Sequence, residues 1–350
     1  MDRATVALYE REVARYRSAR TGVGRERARA LAELARGAVL DAGCGPGIYT
    51  GALGAGAVAL DASRGMVRAA VAEVPSALGV QADLQHLPLR RGALGGAWAR
   101  QSYLHLRRAE LPAALADLHG ALGVGAPVTL ALLLGAGDGW KPPDDDFPGR
   151  FFAGWDAPAL TDVLVGAGFG DVELETTEHK IWARGRRART LPDLVSPDMR
   201  VLFCGLNPSL HAADAGVGYA GPGNRFWPAL AAAAVWEGPR DPRALLAAGY
   251  GMTDLVKRAT PRAAELARSE FSDGAARVER LVRWLRPASI CFVGLTGYRA
   301  ALHRAAGVGW QGHRFGDVAT YVMPSTSGLN TRTGFDELVA HLRAVGRGAP

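Results

Sequence analysis

The chain has 350 residues, which is enough for two domains of ordinary size. Apolar residues make up 48% and charged residues 21%, a balance that excludes a disordered or a fibrous protein. Lysine and arginine outnumber aspartate and glutamate by 41 to 34, and the resulting net charge of +7 is a weak indication of a nucleic-acid partner. Three cysteines cannot build a disulfide framework or hold a four-cysteine iron–sulfur cluster, and no metal site is predicted.

The N-terminal segment alternates charged and apolar residues, so it lacks the uninterrupted apolar stretch of a signal peptide. No segment reaches the roughly 20 apolar residues that a membrane-spanning helix requires. We therefore expect a soluble, cytoplasmic protein without a membrane partner, and a monomer.

The first half of the chain alternates short apolar runs with helical patterns, which is typical of a parallel, doubly wound sheet. It is predicted to begin with one charged helix over residues 5–36, and a further helix is predicted at 107–122. A late helix at 156–168 precedes a closing pair of strands. The predicted strands are 38–42, 57–60, 79–82, 93–99, 127–134, 172–177 and 180–183.

A basic and then proline-containing stretch with weak periodicity, 186–198, is the predicted linker between a domain at 1–185 and a domain at 199–350. The second domain repeats the α/β alternation. Its predicted strands are 200–206, 289–295 and 318–323, and its predicted helices are 227–234, 278–285 and 335–345.

A glycine-rich loop, Asp41-Ala42-Gly43-Cys44-Gly45-Pro46-Gly47, follows the first strand and opens a helix. Glycines allow positive φ and a close backbone approach to a ligand. Asp61 follows Asp41 by 20 residues and ends the next strand, where a carboxylate can accept both ribose hydroxyls of a nucleoside cofactor. The combination favours a cofactor site at this sheet edge.

Residues 5–185 resemble the class I S-adenosylmethionine-dependent methyltransferases in this loop, in Asp61-Ala62-Ser63 and in Ala82-Asp83-Leu84. The resemblance implies a Rossmann-like sheet that binds S-adenosylmethionine. A pyrophosphate cofactor such as NAD is the weaker alternative, because the glycine spacing differs from G-x-G-x-x-G and Asp41 would repel phosphate. A domain that has kept only the fold is a second alternative. The implied cofactor residues are Asp41, Gly43, Gly45 and Gly47 at the loop, Asp61 at the ribose and Asp83 at the adenine amine.

The methyl acceptor is not identified by the residues that follow the strand at 93–99. There is no Asn-Pro-Pro-Tyr type motif for nucleobase amines and no catalytic cysteine pair. His105 is a candidate base, although a lone histidine is more often structural.

Three segments of the second domain carry polar or small residues just beyond predicted strands. Leu206-Asn207-Pro208-Ser209 ends the first strand, a glycine-rich stretch runs over 216–227, and Ser325-Thr326-Ser327-Gly328-Leu329-Asn330 follows the third strand. Small residues allow close approach to a phosphate backbone, and a leucine can wedge between stacked bases.

In this order, the three segments resemble the mismatch-specific uracil/thymine-DNA glycosylases of the uracil-DNA glycosylase superfamily, which implies a three-layer α/β/α fold. The resemblance extends to the motif at 251–260. It implies a DNA-repair enzyme of the base-excision type, nucleoid-associated and needing no cofactor for excision, that acts on double-stranded DNA with G·U or G·T mismatches. Asn207 would position the attacking water. The implied base-binding residues are Leu206, Tyr219, Asn224, Thr253 and Asp254, and the implied DNA-contacting and intercalating residues are Ser325, Ser327, Gly328, Leu329 and Asn330.

Lysine is scarce in this chain, and Lys257 is the only lysine of the second domain. A lyase activity needs a Schiff-base amine, so a monofunctional glycosylase that leaves an abasic site is predicted. Two residues depart from the family pattern, Asp254 where relatives often carry asparagine or lysine and Ser209 where glycine is usual, and both make thymine a less secure substrate than uracil.

Net charge separates the two predicted domains. Residues 196–350 hold 18 basic and 12 acidic side chains and so carry +6 of the total +7, where phosphate attraction is useful. Two alternatives stay open: a methyltransferase of RNA or a small molecule whose second domain only binds nucleic acid, and a nucleic-acid-binding protein in which neither fold turns over.

Overall fold

The computed structural model of the chain describes residues 1–20, 22–135, 137–139 and 145–350. Contacts divide the chain into two units. The first comprises Met1–Val165 with Phe169–Ala188, and the second comprises Gly166–Gly168 with Arg189–Pro350. Among the described residues, no helix has both the length and the apolar character needed to cross a bilayer.

The first unit alternates helices and strands. Its helices are α1 (Arg3–Arg11), α2 (Val13–Ala19), α3 (Arg25–Leu34), α4 (Arg64–Glu73), α5 (Leu111–Ala121) and α6 (Ala157–Gly166). Its strands are β1 (Val39–Ala42), β2 (Val58–Asp61), β3 (Leu78–Gln81), β4 (Gly96–Arg100), β5 (Pro127–Leu134), β6 (Gly137–Asp138), β7 (Ala153–Trp155), β8 (Phe169–Thr176) and β9 (Lys180–Arg187).

The sheet of the first unit runs β3-β2-β1-β4-β5 with all five strands parallel. β9 then pairs antiparallel with β5, and β8 pairs antiparallel with β9. The end of β5 also pairs with β7, which carries β6 on its far side. This topology brings the ends of β1, β2 and β4 to one edge of the sheet, where doubly wound sheets bind their ligands.

The prediction of a single helix over 5–36 is wrong, because the chain forms three helices there. Glu12 leaves helical geometry at φ −105° and ψ 19°, which separates α1 from α2. Gly24 has a φ of +92° directly before α3, a conformation that glycine adopts at little cost. Every strand predicted in this half has a counterpart in the sheet, which confirms the strand pattern.

The second unit contains α7 (Leu210–Ala215), α8 (Phe226–Ala232), α9 (Pro242–Ala247), α10 (Arg268–Leu285), α11 (Leu295–Ala301) and α12 (Phe335–Gly346). Its strands are β10 (Val201–Gly205), β11 (Tyr250–Asp254), β12 (Ser289–Val293), β13 (Gly309–Trp310) and β14 (Ala319–Met323). The three predicted strands are confirmed, whereas β11 and β13 were not predicted. The residues of β11 were predicted only to belong to the motif at 251–260, with no strand assigned to them.

The second sheet has the order β11-β10-β12-β14-β13, and only β13 runs antiparallel to its neighbour. Alternate residues face opposite sides of a strand. Phe203 of β10 belongs to the core beneath α8, α9 and α12, and Phe292 of β12 contacts Tyr298 of α11 with ring centroids 4.8 Å apart. Helices therefore cover both faces of the sheet, as the α/β/α prediction requires.

The segment predicted as a linker, 186–198, begins inside β9 and then packs onto the second unit. Leu194 forms an antiparallel bridge with Met252 of β11, and Thr190, Asp193 and Val195 are buried. Pairing with a neighbouring strand orders this stretch even though its own sequence has weak periodicity.

Candidate functional sites

The glycine loop after β1 turns sharply toward the sheet. Gly43, Gly45 and Gly47 all have positive φ, at 75°, 52° and 87°. A Cβ at Gly47 would lie 2.8 Å from the Cα of Ala70 in α4, and a Cβ at Gly43 would overlap Ser102. The loop therefore requires glycine both for its backbone conformation and for its close packing, and this leaves bare backbone facing the sheet edge.

Two carboxylates flank this loop. Asp61 Oδ2 accepts the Gly45 N–H at 3.0 Å and Asp61 Oδ1 accepts the Ser63 N–H at 2.9 Å. Burial raises the pKa of Asp61 to about 6, although these backbone donors oppose the shift. Asp41 is only 2% exposed, accepts the Thr50 hydroxyl at 2.6 Å, and has a pKa raised by burial to about 7. Asp61 thus binds the backbone of the glycine loop directly, whereas Asp41 is buried and bonded to Thr50.

The two N-terminal helices cover the loop, an arrangement that sequence reasoning missed. Glu10 of α1 accepts the Ser63 hydroxyl at 2.6 Å and the Gly65 N–H at 2.9 Å. The ring of Tyr16 lies 3.8 Å from where a Cβ of Gly45 would stand. No signal in the sequence links these side chains to the loop, because the contacts join distant positions.

Asp83 lies beyond β3, near the same edge, where its Oδ2 pairs with the Met1 amino group at 2.7 Å. Its Oδ1 accepts the Gln85 N–H at 3.0 Å. Asp83 therefore joins the edge that holds Asp61, with both of its oxygens engaged.

His105 is held in a network of its own. Nδ1 lies 2.7 Å from the carbonyl oxygen of Phe151 and so carries the proton, which leaves Nε2 to accept the Tyr9 hydroxyl at 2.8 Å. Burial lowers the pKa of His105 to about 4, and the ring is only 4% exposed. A neutral, enclosed imidazole with both nitrogens engaged has the character of a structural histidine.

Asn207 stands at the carboxyl end of β10 with its amide orientation fixed. Its Nδ2 donates to the carbonyl oxygen of Arg258 at 3.0 Å, to Thr260 Oγ1 at 2.8 Å and to the carbonyl oxygen of Pro208 at 3.2 Å. Thr260 is itself oriented, because its hydroxyl donates to the Arg262 carbonyl at 3.0 Å. No donor among the described residues reaches Asn207 Oδ1, so this oxygen is left to accept from water.

β10 and β11 end side by side, and the residues at their ends are closely packed. Gly205 pairs in register with Asp254, and a Cβ at Gly205 would overlap Asp254 Oδ1 and lie 3.2 Å from the Tyr219 hydroxyl. The Tyr219 hydroxyl is buried without a hydrogen-bond partner, and its ring stacks on Phe226 at 4.1 Å. Burial raises the pKa of Asp254 to about 6.

The structure does not place the Thr253 side chain in this cluster with Asp254 and Tyr219. Neighbouring side chains on a strand face opposite sides, and Thr253 instead donates to Asp193 at 2.7 Å. Lys257 Nζ and Arg277 Nη1 reach the same carboxylate at 2.8 and 2.5 Å. Burial alone would raise the pKa of Asp193, but the two cations outweigh it and the pKa lies below its usual value.

The loop between β14 and α12 is braced from within. The Arg225 guanidinium donates to the carbonyl oxygens of Thr333 and Asn330, both at 2.7 Å, and Asn330 Nδ2 donates to the Ser325 carbonyl at 2.8 Å. Leu329 stands at the tip with 91% of its surface exposed. An apolar side chain is therefore presented to solvent on a preformed loop.

The remaining predicted residues make contacts within and between the loops of this domain. Asn224 Oδ1 accepts the Phe226 N–H at 3.0 Å and so fixes the start of α8. A Cβ at Gly328 would lie 3.0 Å from the Gly223 carbonyl, which shows how closely the two loops approach. Ser325 and Ser327 accept backbone N–H groups of their own loop at 3.3 Å.

A basic groove lies between α10 and α11, with a cavity volume of about 510 Å³. Its walls contact the loops of the Asn207 site, because Gly297 of α11 packs against Leu206 and Glu270 of α10 pairs with Arg258 at 2.7 Å. The charged and hydroxyl side chains of this groove are Arg268, Arg299, Arg304, Ser269 and Ser272.

Comparison with protein families assigns both halves of the chain. The family model of the uracil DNA glycosylase superfamily matches residues 192–343, and a methyltransferase domain model matches residues 39–125. The chain joins a methyltransferase domain to a domain of the uracil-DNA glycosylase superfamily. The resemblances drawn from the two sets of motifs are thereby confirmed at the level of the family.

Solved methyltransferase structures align with the first half of the chain. The DhpI–SAH complex is 20% identical and covers 53% of this chain and 96% of that chain, with a TM-score of 0.43. The 1,6-didemethyltoxoflavin-N1-methyltransferase of Burkholderia thailandensis is 21% identical over 52% of this chain and 88% of that chain, with a TM-score of 0.41. An S-adenosylmethionine dependent methyltransferase from Mesorhizobium loti is 18% identical over 46% and 96%, with a TM-score of 0.38.

Proposed function

We propose that the glycosylase-superfamily domain hydrolyses the N-glycosidic bond of uracil mispaired with guanine in duplex DNA, with thymine as the second candidate base. The observation that carries the proposal is the fixed amide of Asn207. With three acceptors on Nδ2, its Oδ1 can hold a water molecule for attack on the sugar carbon. An amide orients water but is a poor general base, so turnover is slow.

In this mechanism the flipped base stacks on Tyr219, beside the ends of β10 and β11. One face of Tyr219 is covered by Phe226, so the base stacks on the other face. The Tyr219 hydroxyl and the Asp254 carboxyl are the polar groups beside Gly205. Leu329 fills the gap left in the duplex, and a mismatched pair costs less to open than a matched one.

The chemistry ends at an abasic site. A lyase step needs a reactive amine, and the one lysine of the domain is held in an ion pair with Asp193 and is only 10% exposed. The domain is therefore monofunctional. To test the activity, the protein is incubated with duplexes that contain G·U, G·T or A·U pairs, and abasic sites are then cleaved with alkali. Strand scission confined to the mismatched duplexes supports the proposed glycosylase activity. Borohydride trapping of a covalent DNA adduct would contradict the absence of a lyase step.

Asp254 gives the reaction a pH dependence. The leaving base carries negative charge, and a neutral Asp254 tolerates this charge whereas an ionised one repels it. The charged groups nearest to Asp254 are Lys257, Asp193 and Arg277. Because burial raises the pKa of Asp254 to about 6, we expect the excision rate to fall as the pH rises above that value.

Substitution of Asp254→Asn tests this dependence. The variant stays neutral, so its excision rate at pH 8 is expected to be about tenfold higher than that of the unchanged protein and flat between pH 6 and 8. Single-turnover rates on G·U duplexes across this range provide the measurement. Asp273→Asn, on the exposed surface of α10, is the control and keeps the original profile. A pH profile shared by Asp254→Asn and the unchanged protein would contradict the role.

The basic groove binds a stretch of DNA backbone beside the base pocket. Each arginine that neutralises one phosphate contributes about one unit to the slope of log affinity against log salt. Replacing Arg268, Arg299 or Arg304 by glutamine is therefore expected to reduce that slope by about one and to raise KM without changing kcat. Arg347→Gln, directly after α12 and next to Gly346, whose carbonyl accepts from Arg200 before β10, is the control. An unchanged slope in all three variants excludes the groove from DNA binding.

For the first domain, we propose transfer of a methyl group from S-adenosylmethionine. The residues fit such a cofactor, because Gly43, Gly45 and Gly47 leave open backbone and Asp61 offers a carboxylate at the end of β2. The cofactor supplies an electrophilic methyl group. Calorimetry with S-adenosylhomocysteine tests binding, and a radiolabelled methyl-transfer screen tests activity.

A further inference from the structure

We propose that Arg100 and Lys180 form a binding site for an oxyanion group, a carboxylate or a phosphate, on the methyl acceptor. The inference rests on the methyl-transfer function proposed for the first domain and names the chemical class of its acceptor. Neither side chain belongs to the predicted cofactor site.

The two cations share one face of the sheet at the edge that carries the cofactor loop. Arg100 ends β4 and pairs in register with Ala131 of β5, and Lys180 begins β9 opposite Leu133 of β5. Paired residues of neighbouring strands point to the same face, as do residues two apart on one strand. Arg100 and Lys180 therefore project on the same side, near the carboxyl ends of β4 and β5.

Neither charge has a counter-ion among the residues that the structure describes. Arg100 packs its guanidinium over the Tyr49 ring at 4.9 Å, and its Nε is buried without a hydrogen-bond partner. Lys180 is partly buried and forms no ion pair with any residue in the described part of the chain. Nearby arginines differ, since Arg20 and Arg27 form two hydrogen bonds each with Asp146 and Glu175. A partly buried charge without a partner is costly, and a bound anion would remove that cost.

The residues after Arg100 connect this pair to the cofactor loop. Gln101 has a φ of 57°, a left-handed conformation that a non-glycine residue adopts at a cost and that concentrates at functional sites. Ser102 is only 6% exposed, and its Oγ is buried without a partner beside Gly43. A strained residue between two side chains with unpartnered buried polar atoms is typical of a ligand-binding site.

The electrostatics agree with this geometry. Burial lowers the pKa of Lys180, and the charges of Arg100 and Arg20 lower it further. The charge of Arg20 is neutralised by Asp146 at 2.7 Å. Arg100 is thus the uncompensated neighbour of Lys180, and an oxyanion that accepts from both side chains offsets their repulsion.

Calorimetric titration of the full chain with inorganic phosphate and, separately, with acetate tests the proposal, with the protein first saturated with S-adenosylhomocysteine. We expect saturable binding of at least one anion, weakened about tenfold in Arg100→Met and in Lys180→Met because each removes a charge-assisted hydrogen bond. The preferred anion distinguishes a phosphate from a carboxylate acceptor. Arg184→Met, also on β9 but exposed and paired with Glu173, is the control and leaves anion affinity unchanged.

The outcomes separate this proposal from the function on which it rests. Failure of S-adenosylhomocysteine to bind contradicts the methyl-transfer function itself. If S-adenosylhomocysteine binds but anion affinity is the same in the unchanged protein, Arg100→Met and Lys180→Met, the anion site is overturned. Since each variant removes one of two like charges, Tm is expected to stay unchanged or to rise. A cooperative loss of the fold in both variants would make the pair structural and would also overturn the proposal.

Discussion

Replacement of Asn207 by alanine is expected to lower the single-turnover rate of uracil excision by about 10³-fold, since a positioned group that organises the attacking water contributes on that order. The loss falls on the chemical step. Oδ1, the atom proposed to hold the water, disappears, whereas the contacts proposed for DNA at Leu329 and the basic groove remain. Binding of G·U duplex, measured by fluorescence anisotropy, should therefore be retained.

Thr260→Val sharpens this test. Thr260 orients the amide of Asn207 through a 2.8 Å hydrogen bond but does not itself touch the water. Valine keeps the side-chain shape and removes the acceptor, so the rate should drop less than in Asn207→Ala, with KM unchanged. Full excision activity in Asn207→Ala would refute the assignment of the water-positioning residue, and equal losses in both variants would indicate a structural defect.

Asp61→Asn is expected to weaken binding of S-adenosylhomocysteine about 100-fold, because two hydrogen bonds from ribose hydroxyls would lose their charged acceptor. Calorimetry on the full chain measures the effect. In the unchanged protein, affinity should also fall as the pH drops through about 6, where the raised pKa of Asp61 protonates the carboxylate. Asp61→Asn should not show this pH dependence.

Thermal stability provides the control for that variant. The pKa of Asp61 is about 6 in the folded chain, above the ordinary aspartate value, so the folded state binds the proton more tightly than the unfolded state. Stability is therefore lost as the pH rises from the ordinary aspartate value of 3.8 to about 6, and the full cost of ionisation remains above that range. Asp61→Asn removes this cost but replaces one of the two oxygens that accept the Gly45 and Ser63 N–H groups by an NH2 donor, so its Tm at pH 7.5 should stay close to that of the unchanged protein. Weaker ligand binding together with a lower Tm would point to a damaged loop and not to a lost ribose contact.

Much of the fold was predictable because parallel strands in such sheets are short, buried apolar runs. Pro127–Leu134 was located to the residue, since it is apolar along its whole length. Tyr250–Asp254 was missed as a strand, because a glycine and two polar residues interrupt its apolar character and its pairing with β10 supplies the order. The first predicted helix was too long, because the helical periodicity of the sequence continues across Glu12 although the backbone leaves helical geometry there.

The candidate site residues also fall into those that local sequence can indicate and those that only tertiary packing brings together. Candidate residues next to a strand end, such as Asn207 after β10 and the glycines after β1, could be proposed from local sequence. Asp193 and Arg277 could not, because they are 84 residues apart in the chain and meet only through tertiary packing. Thr253 was grouped with Asp254 as base-binding, and strand alternation would have separated them had β11 been recognised.

The burial of Lys257 also determines how this protein can be handled chemically. The second unit presents no freely accessible amine, because its one lysine is 10% exposed and held by Asp193. Amine-reactive dyes and surface-coupling reagents should therefore leave the second unit, and with it the proposed DNA-binding face, unmodified. Crosslinking through lysine should capture the proposed DNA complex poorly, so trapping that complex calls for a photoreactive base in the duplex.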